Sequence, residues 1–313
     1  MKNALKRLPL LALLFISVTV FSQVHKDYRQ LDSYIDTAVI NFEIPGLAVG
    51  IVKNGEIVLA KGYGLANAKT RTKVDKNTIF GIASCSKAFT SASLAILVDE
   101  GKLKWGDNVT DILPYFQLYD PYITRHLTVE DLLCHRSGYE TFDGDLLWYG
   151  TDYTRKEVVS RFQFRENPYS FRERFGYSNL MYIIAGEVIQ EVSGLTWEDF
   201  VKEKIFDPLG MELTTTTNSD FNPDMNIAWP HLEGEVMGFI NYDNSGPAAS
   251  INSTVIDLLS WVQLMLNKGA INDTIIFTEK QYYKMVSPET VLHAGRAEKI
   301  DGRHFASYGL GWF

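Results

Sequence analysis

Two cysteines in 313 residues are too few for a disulfide-built scaffold. The six histidines stand apart, and no H-x-x-x-H or C-x-x-C spacing occurs, so no metal is expected. G-x-G-x-x-G is also missing, because the Gly62-Tyr63-Gly64 and Gly309-Leu310-Gly311 clusters lack the rest of that fingerprint. Positive charge is in deficit. With 30 Lys and Arg against 38 Asp and Glu, the formal net charge is −8, which makes nucleic acid and anionic membrane surfaces poor partners. The uncharged run from Leu8 to Phe21 is too short to span a bilayer comfortably, and no second apolar run follows it. Internal repeats and low-complexity segments are absent too.

What is present describes a globular chain. A hydrophobic content of 46% can supply a large core, and 22% charged residues is ordinary for a folded domain. Lys2, Lys6 and Arg7, then the uncharged run, then Ser22-Gln23 have the three-part form of a secretory signal peptide, so residues 1–22 are expected to be removed on export. That cleavage would take the net charge to −11. An exported compartment would permit a Cys85–Cys134 bridge, while buried free thiols remain the alternative.

The most informative segment is Ser84-Cys85-Ser86-Lys87, heading an apolar helical run from Ala88 to Val98 that Asp99-Glu100-Gly101 stops. Residues three apart on a helix share a side, so the Lys87 amine can reach the Ser84 hydroxyl and take its proton once burial has lowered the amine's pKa. Ser86 points to another face. The Ser84 N–H is expected in the first helical turn, where unpaired N–H groups favour a developing oxyanion. Chance supplies about one S-x-x-K in a chain this long, so context must carry the assignment.

That context is distributed along the sequence. Tyr28 to Phe42 has the spacing of an amphipathic helix, and Asn54-Gly55 between 46–52 and 57–60 predicts an antiparallel hairpin. A helical pattern then holds from about 83 to 206, with Thr128 and Thr196 as caps and a helix from Asn179 to Val192 ending at Gly194. Residues 211–250 read as loop, 253–266 as helix and 307–313 as the start of a strand. Tyr177-Ser178-Asn179 opens the second long helix and offers a phenol and an amide. A tyrosinate there could shuttle the proton to a leaving group. Tyr242-Asp243-Asn244 is a rival in a loop, and the helix after Tyr177 favours the first. His135, in a helix-ending turn, is expected to be a structural hydrogen-bonder, since Lys87 already supplies a base.

Ile82 to Lys87, Leu132-Leu133-Cys134-His135-Arg136-Ser137-Gly138, Phe175 to Asn179, Ser253-Thr254 with Asp257 and Trp261, and Tyr308 to Trp312 occur in an order that resembles the class C β-lactamase and penicillin-binding-protein-like serine hydrolases. The resemblance spans roughly 31–313. It implies an α+β fold: an antiparallel sheet flanked by helices, with a largely helical region inserted between its first and last strands. It carries over Ser84 as acylated nucleophile, Lys87 as base, Tyr177 as acid/base and Asn179 as substrate amide ligand. Substrates of such proteins include β-lactams, D-amino-acid peptides and small esters. Two departures stand out. Cys134 and Arg136 replace threonines that often flank the histidine, and the third motif, Lys or His followed by any residue and Gly on a strand, is absent after Tyr308-Gly309-Leu310-Gly311-Trp312. His293-Ala294-Gly295 has the letters but precedes that block.

The resulting expectation is a signal peptide over 1–22 and one hydrolase domain over 23–313, its sheet part about 23–82 and 250–313 and its helical part about 83–249, with the last strands missing. It would be a periplasmic or secreted monomer that uses no cofactor or metal and acts on a small-molecule or peptide substrate through a covalent acyl-enzyme, without stable membrane insertion after cleavage. The fragment itself would hydrolyse little. The alternative is a catalytically silent homologue that binds penicillin or peptidoglycan.

Overall fold

The computed structural model describes residues 28–219, 221–292 and 305–313. The signal-peptide reading and His293-Ala294-Gly295 lie outside these residues. The chain divides into two compact units. One holds the described residues up to Thr78 together with Asn226–Gly238, and the other holds Ile79–Met225 and Phe239–Phe313.

In the first unit, helix α1 (Arg29–Asn41) precedes strands β1 (Gly46–Lys53), β2 (Glu56–Asn67) and β3 (Thr72–Lys73), which pair antiparallel in that order. Asn54 and Gly55 both take positive φ, 54° and 82°, which makes the tight hairpin turn that their sequence predicts. β2 extends well beyond 57–60 because it pairs with β1 along its first part and with β3 at its end. Gly64 has φ 69°, and a Cβ there would collide with the Pro45 carbonyl. Asp32 ties α1 to β2, accepting from Lys61 Nζ at 2.7 Å and from the Tyr63 hydroxyl at 2.7 Å.

The second unit is mainly helical and carries the site. Short β4 (Phe80–Gly81) pairs antiparallel with β5 (Asn252–Ser253). A 3₁₀ turn over Ala83–Cys85 then leads into α2 (Ser86–Asp99), whose residues from Ser86 to Leu97 are all buried. Such a helix can only be the core of its unit, as its all-round apolar composition requires. Around it lie α3 (Val129–Leu133), α4 (Arg155–Phe162), α5 (Asn179–Ser193), α6 (Trp197–Val201), α7 (Gly246–Ala249) and α8 (Val255–Leu266). Thr128 closes a capping box with Asp131, and the Thr196 and Thr254 hydroxyls cap α6 and α8. α5 starts on the Ser178 side chain and ends at Gly194, which has φ 77°.

Two differences from the sequence reading matter. Ser84 lies in the 3₁₀ turn and not in the α-helix proper, with Ala83 at φ 46° redirecting the chain just before it. The strand read over 307–313 is confined to β7 (Ala306–Tyr308), which pairs with β6 (Thr290–Leu292). The chain then turns, the Gly309 N–H reaching the Trp312 carbonyl at 2.7 Å.

Candidate active site

Three local devices fix the nucleophile turn. The Ile82 N–H donates to the Ile251 carbonyl at 2.9 Å, and the Ile251 N–H donates to Ser86 Oγ at 3.1 Å. Ser86 is thus buried and occupied as a scaffold hydroxyl, whereas Ser84 is exposed. On the opposite side α7 presses against α5, where a Cβ at Gly186 would collide with the Pro247 ring. That close approach brings the Ala248 carbonyl to the base of the site.

Lys87 is fully buried one turn after Ser84. Its Nζ reaches Ser84 Oγ at 3.2 Å, Asn179 Oδ1 at 2.7 Å and the Ala248 carbonyl at 2.9 Å. It also sits over the rings of Tyr177 and Tyr182, 4.6 Å and 5.2 Å from their centroids. Burial brings its pKa down from the ordinary 10.5 to about 7, against the opposing charges of Asp145 and Cys85. Two of the three neighbours, an amide oxygen and a backbone carbonyl, only accept. Together they hold two N–H groups, and the remaining tetrahedral position faces Ser84. A neutral amine in this setting points its lone pair at the Ser84 hydroxyl.

Tyr177 approaches from the segment before α5. Burial raises its pKa, and a hydrogen bond with Ser84 opposes that rise. Burial thus favours the neutral Tyr177 phenol, the form that can donate a proton. Its position is set by backbone bonds, from its own N–H to Thr141 Oγ1 at 3.2 Å and from the Phe142 N–H to its carbonyl at 2.8 Å. Gly176 allows the close pass, since a Cβ there would collide with the Tyr139 carbonyl.

His135 supports this segment from beneath. Its Nδ1 accepts the Ser178 N–H at 3.1 Å, and its ring packs 4.3 Å from Tyr177 and 4.6 Å from Tyr308. Burial first, and then the Lys87 charge, hold its pKa well below the usual value. A neutral imidazole that accepts at Nδ1 carries its proton on Nε2. The histidine is a brace, with no bond to Ser84. Cys85 is an exposed free thiol and Cys134 a buried one that burial pushes up to about 12, so no bridge joins them. The rival Tyr242-Asp243-Asn244 lies elsewhere, with Tyr242 against Trp148 and Tyr149 and the Asn244 amide on the Trp148 and Thr151 carbonyls.

Two participants escaped the sequence reading. The Ala248 carbonyl could not have been read at all, because any residue type can supply a backbone acceptor. Asp145 sits in a 3₁₀ turn after Gly144, which has φ 79°, and accepts from Asn179 Nδ2 at 2.8 Å and Trp148 Nε1 at 2.9 Å. No helical or strand period marks it. Among the described residues, no group of three or more His, Cys, Asp or Glu could hold a metal ion.

An exposed serine beside a buried lysine whose pKa lies near 7, with a phenol against both and an amide on the lysine, is a serine-nucleophile arrangement. The β-lactamase family matches over residues 31–313, and the chain belongs to that family. It is similar to an unguisins hydrolase of Aspergillus campestris, 35% identical over 57% of this chain and 34% of that protein. It is also similar to Protein flp of Staphylococcus aureus, 26% identical over 91% of this chain and 55% of that one. The chain thus spans about a third to a half of the length of the curated relatives it matches. Among solved structures, an octameric penicillin-binding protein homologue from Pyrococcus abyssi superposes with a TM-score of 0.74 at 26% identity, covering 91% of this chain and 64% of that one. The fold is the mixed α and β arrangement of that family.

Proposed function

We propose that the chain is an exported serine hydrolase that acts through a covalent acyl-enzyme on an amide, β-lactam or small ester. The observation that carries this reading is the 3.2 Å approach of a buried lysine to an exposed serine hydroxyl, with the lysine's pKa near 7. In the first step Ser84 Oγ bonds to the substrate carbonyl carbon while its proton passes to Lys87 Nζ. Collapse of the tetrahedral intermediate breaks the bond to the leaving group, which takes a proton from the Tyr177 hydroxyl; Lys87 returns one to Tyr177. Water then attacks the acyl-Ser84 ester by the same route in reverse, releasing acid and restoring the Ser84 hydroxyl. The Asn179 amide has a second N–H that can hold the substrate's carbonyl or amide oxygen. That two relatives are named hydrolases supports the reaction type. Export rests on the charged start, the apolar run and Ser22-Gln23.

Mass mapping after exposure to a fluorophosphonate and to a fluorescent penicillin tests this reading. The expected adduct lies on Ser84 and vanishes in Ser84→Ala; an adduct that survives in that variant would refute the assignment. Repeated product release from an ester marks an enzyme, whereas a single acylation without release would make the chain a binder.

A further inference from the structure

We propose that Asp145 is a positioning residue for the Lys87 base: its carboxylate fixes the Asn179 amide so that Oδ1 faces Lys87, and its charge sets the pH at which Ser84 becomes reactive. The inference rests on the serine hydrolase reading above. An amide side chain can flip, exchanging its oxygen and its NH₂ group. At Asn179 the choice is forced from one end. Asp145 Oδ2 lies 2.8 Å from Asn179 Nδ2, and a carboxylate can only accept, so the NH₂ group must face Asp145. The amide oxygen is thereby turned to Lys87 Nζ at 2.7 Å. Asp145, Asn179 and Lys87 form a line in which the carboxylate supports the ammonium through a neutral amide, without an ion pair that would lock the proton in place.

The turn that carries Asp145 is built to hold it. Gly144 adopts φ 79°, and a Cβ there would press on the Phe162 ring. Trp148 Nε1 donates to Asp145 Oδ1 at 2.9 Å, so both carboxylate oxygens are engaged. The groups facing Lys87 are Ser84 and Cys85 from the nucleophile turn, Tyr177 just before α5, Asn179 and Tyr182 within its first turn, the Ala248 carbonyl, Asp145 and the neutral His135. Of these, Asp145 and Cys85 favour the protonated amine. Asp145 in turn faces Asp143, Trp148, Asn179 and Lys87. Burial raises its own pKa, opposed by the Trp148 and Asn179 hydrogen bonds and by the Lys87 charge.

The second-order rate of fluorophosphonate labelling at Ser84, followed from pH 5 to 9, tests the role in Asp145→Asn and in the smaller Asp145→Ser. Loss of the negative charge makes the ammonium easier to deprotonate, so the acid limb moves to lower pH. Normalised to its own plateau, the rate at pH 5.5 is expected to rise about threefold to tenfold, while the plateau falls as Asn179 loses its anchor. A limb that stays in place in folded variants would overturn the inference and leave the hydrolase reading intact. Absence of labelling in the wild type at every pH would instead defeat the hydrolase reading. Failure of both variants to fold would assign Asp145 to the scaffold and reject the positioning role.

Discussion

Two buried charges in the helical unit meet opposite fates. Lys87 and Asp131 are both fully shielded from solvent. Asp131 is surrounded by donors: Arg136 Nε at 2.9 Å, Arg172 Nε and Nη2 at 2.9 Å and 2.6 Å, and its own Thr128 cap. Burial alone would raise its pKa, but the bonds from Arg172, Thr128 and Arg136 outweigh that and hold it below the usual carboxylate range. Lys87 has neutral partners in direct contact, and its pKa falls to about 7. A buried charge matched with counter-ions is locked and structural. Surrounded by neutral acceptors, it stays poised to lose its proton, which is the property a base needs.

Exchanging the chemistry of the two sites should break the comparison. Lys87→Arg retains a cation that cannot be deprotonated near neutral pH, so Ser84 labelling should fall by about 10³-fold or more even where the protein folds. Labelling at the wild-type rate would show that another group activates Ser84. Asp131→Ala takes both side-chain carboxylate bonds from Arg172, while Arg136 keeps Glu130 and Glu289. Its expected cost is about 3 kcal/mol of folding stability, read from denaturant midpoints, with the labelling rate of the remaining folded protein near normal. A large loss of labelling in protein that is still fully folded would mean Asp131 acts on the chemistry.

A smaller effect sharpens the contrast through pH. The folded-state pKa of Lys87 is near 7 and its ordinary value is 10.5, so between those values the unfolded chain holds a proton that the folded chain has released. Lys87 therefore penalises folding fully below about pH 7, and the penalty fades as pH rises toward 10.5. Asp131 has the opposite sign. Its folded pKa is depressed, so its stabilisation is present above the ordinary carboxylate pKa and is lost as pH falls through the folded value. Lys87→Met, which keeps the volume and removes the charge, should stabilise the protein at pH 6 by on the order of a few kcal/mol and by less at pH 9. Equal melting shifts at both pH values would show that Lys87 does not titrate in that window.

The two sites also differ in how far their sequence announced them. Ser84 and Lys87 share a helix start, so local spacing was enough to pair them, and Tyr177 and Asn179 introduce a strongly apolar helix that holds them in place. Thr128 likewise formed the expected cap, with Asp131 completing a capping box. Partnerships across long stretches of chain were not legible. Asn179 meets Asp145 from 34 residues away, Lys87 meets a backbone carbonyl 161 residues on, and Arg172 closes on Asp131 from 41 residues away. None of these leaves a period in the sequence, because tertiary packing alone brings the partners together. The loop reading of 211–250 missed α7 for a similar reason: four residues are too short to show a helical repeat.

The most direct test of the account is the pH dependence of fluorophosphonate labelling of the unaltered chain, with each adduct mapped by mass. The account predicts a single adduct on Ser84 whose formation rate rises along one acid limb with a midpoint near pH 7, the value that burial gives Lys87. An adduct on another residue, or a rate at Ser84 that stays flat from pH 5 to 9, would contradict it.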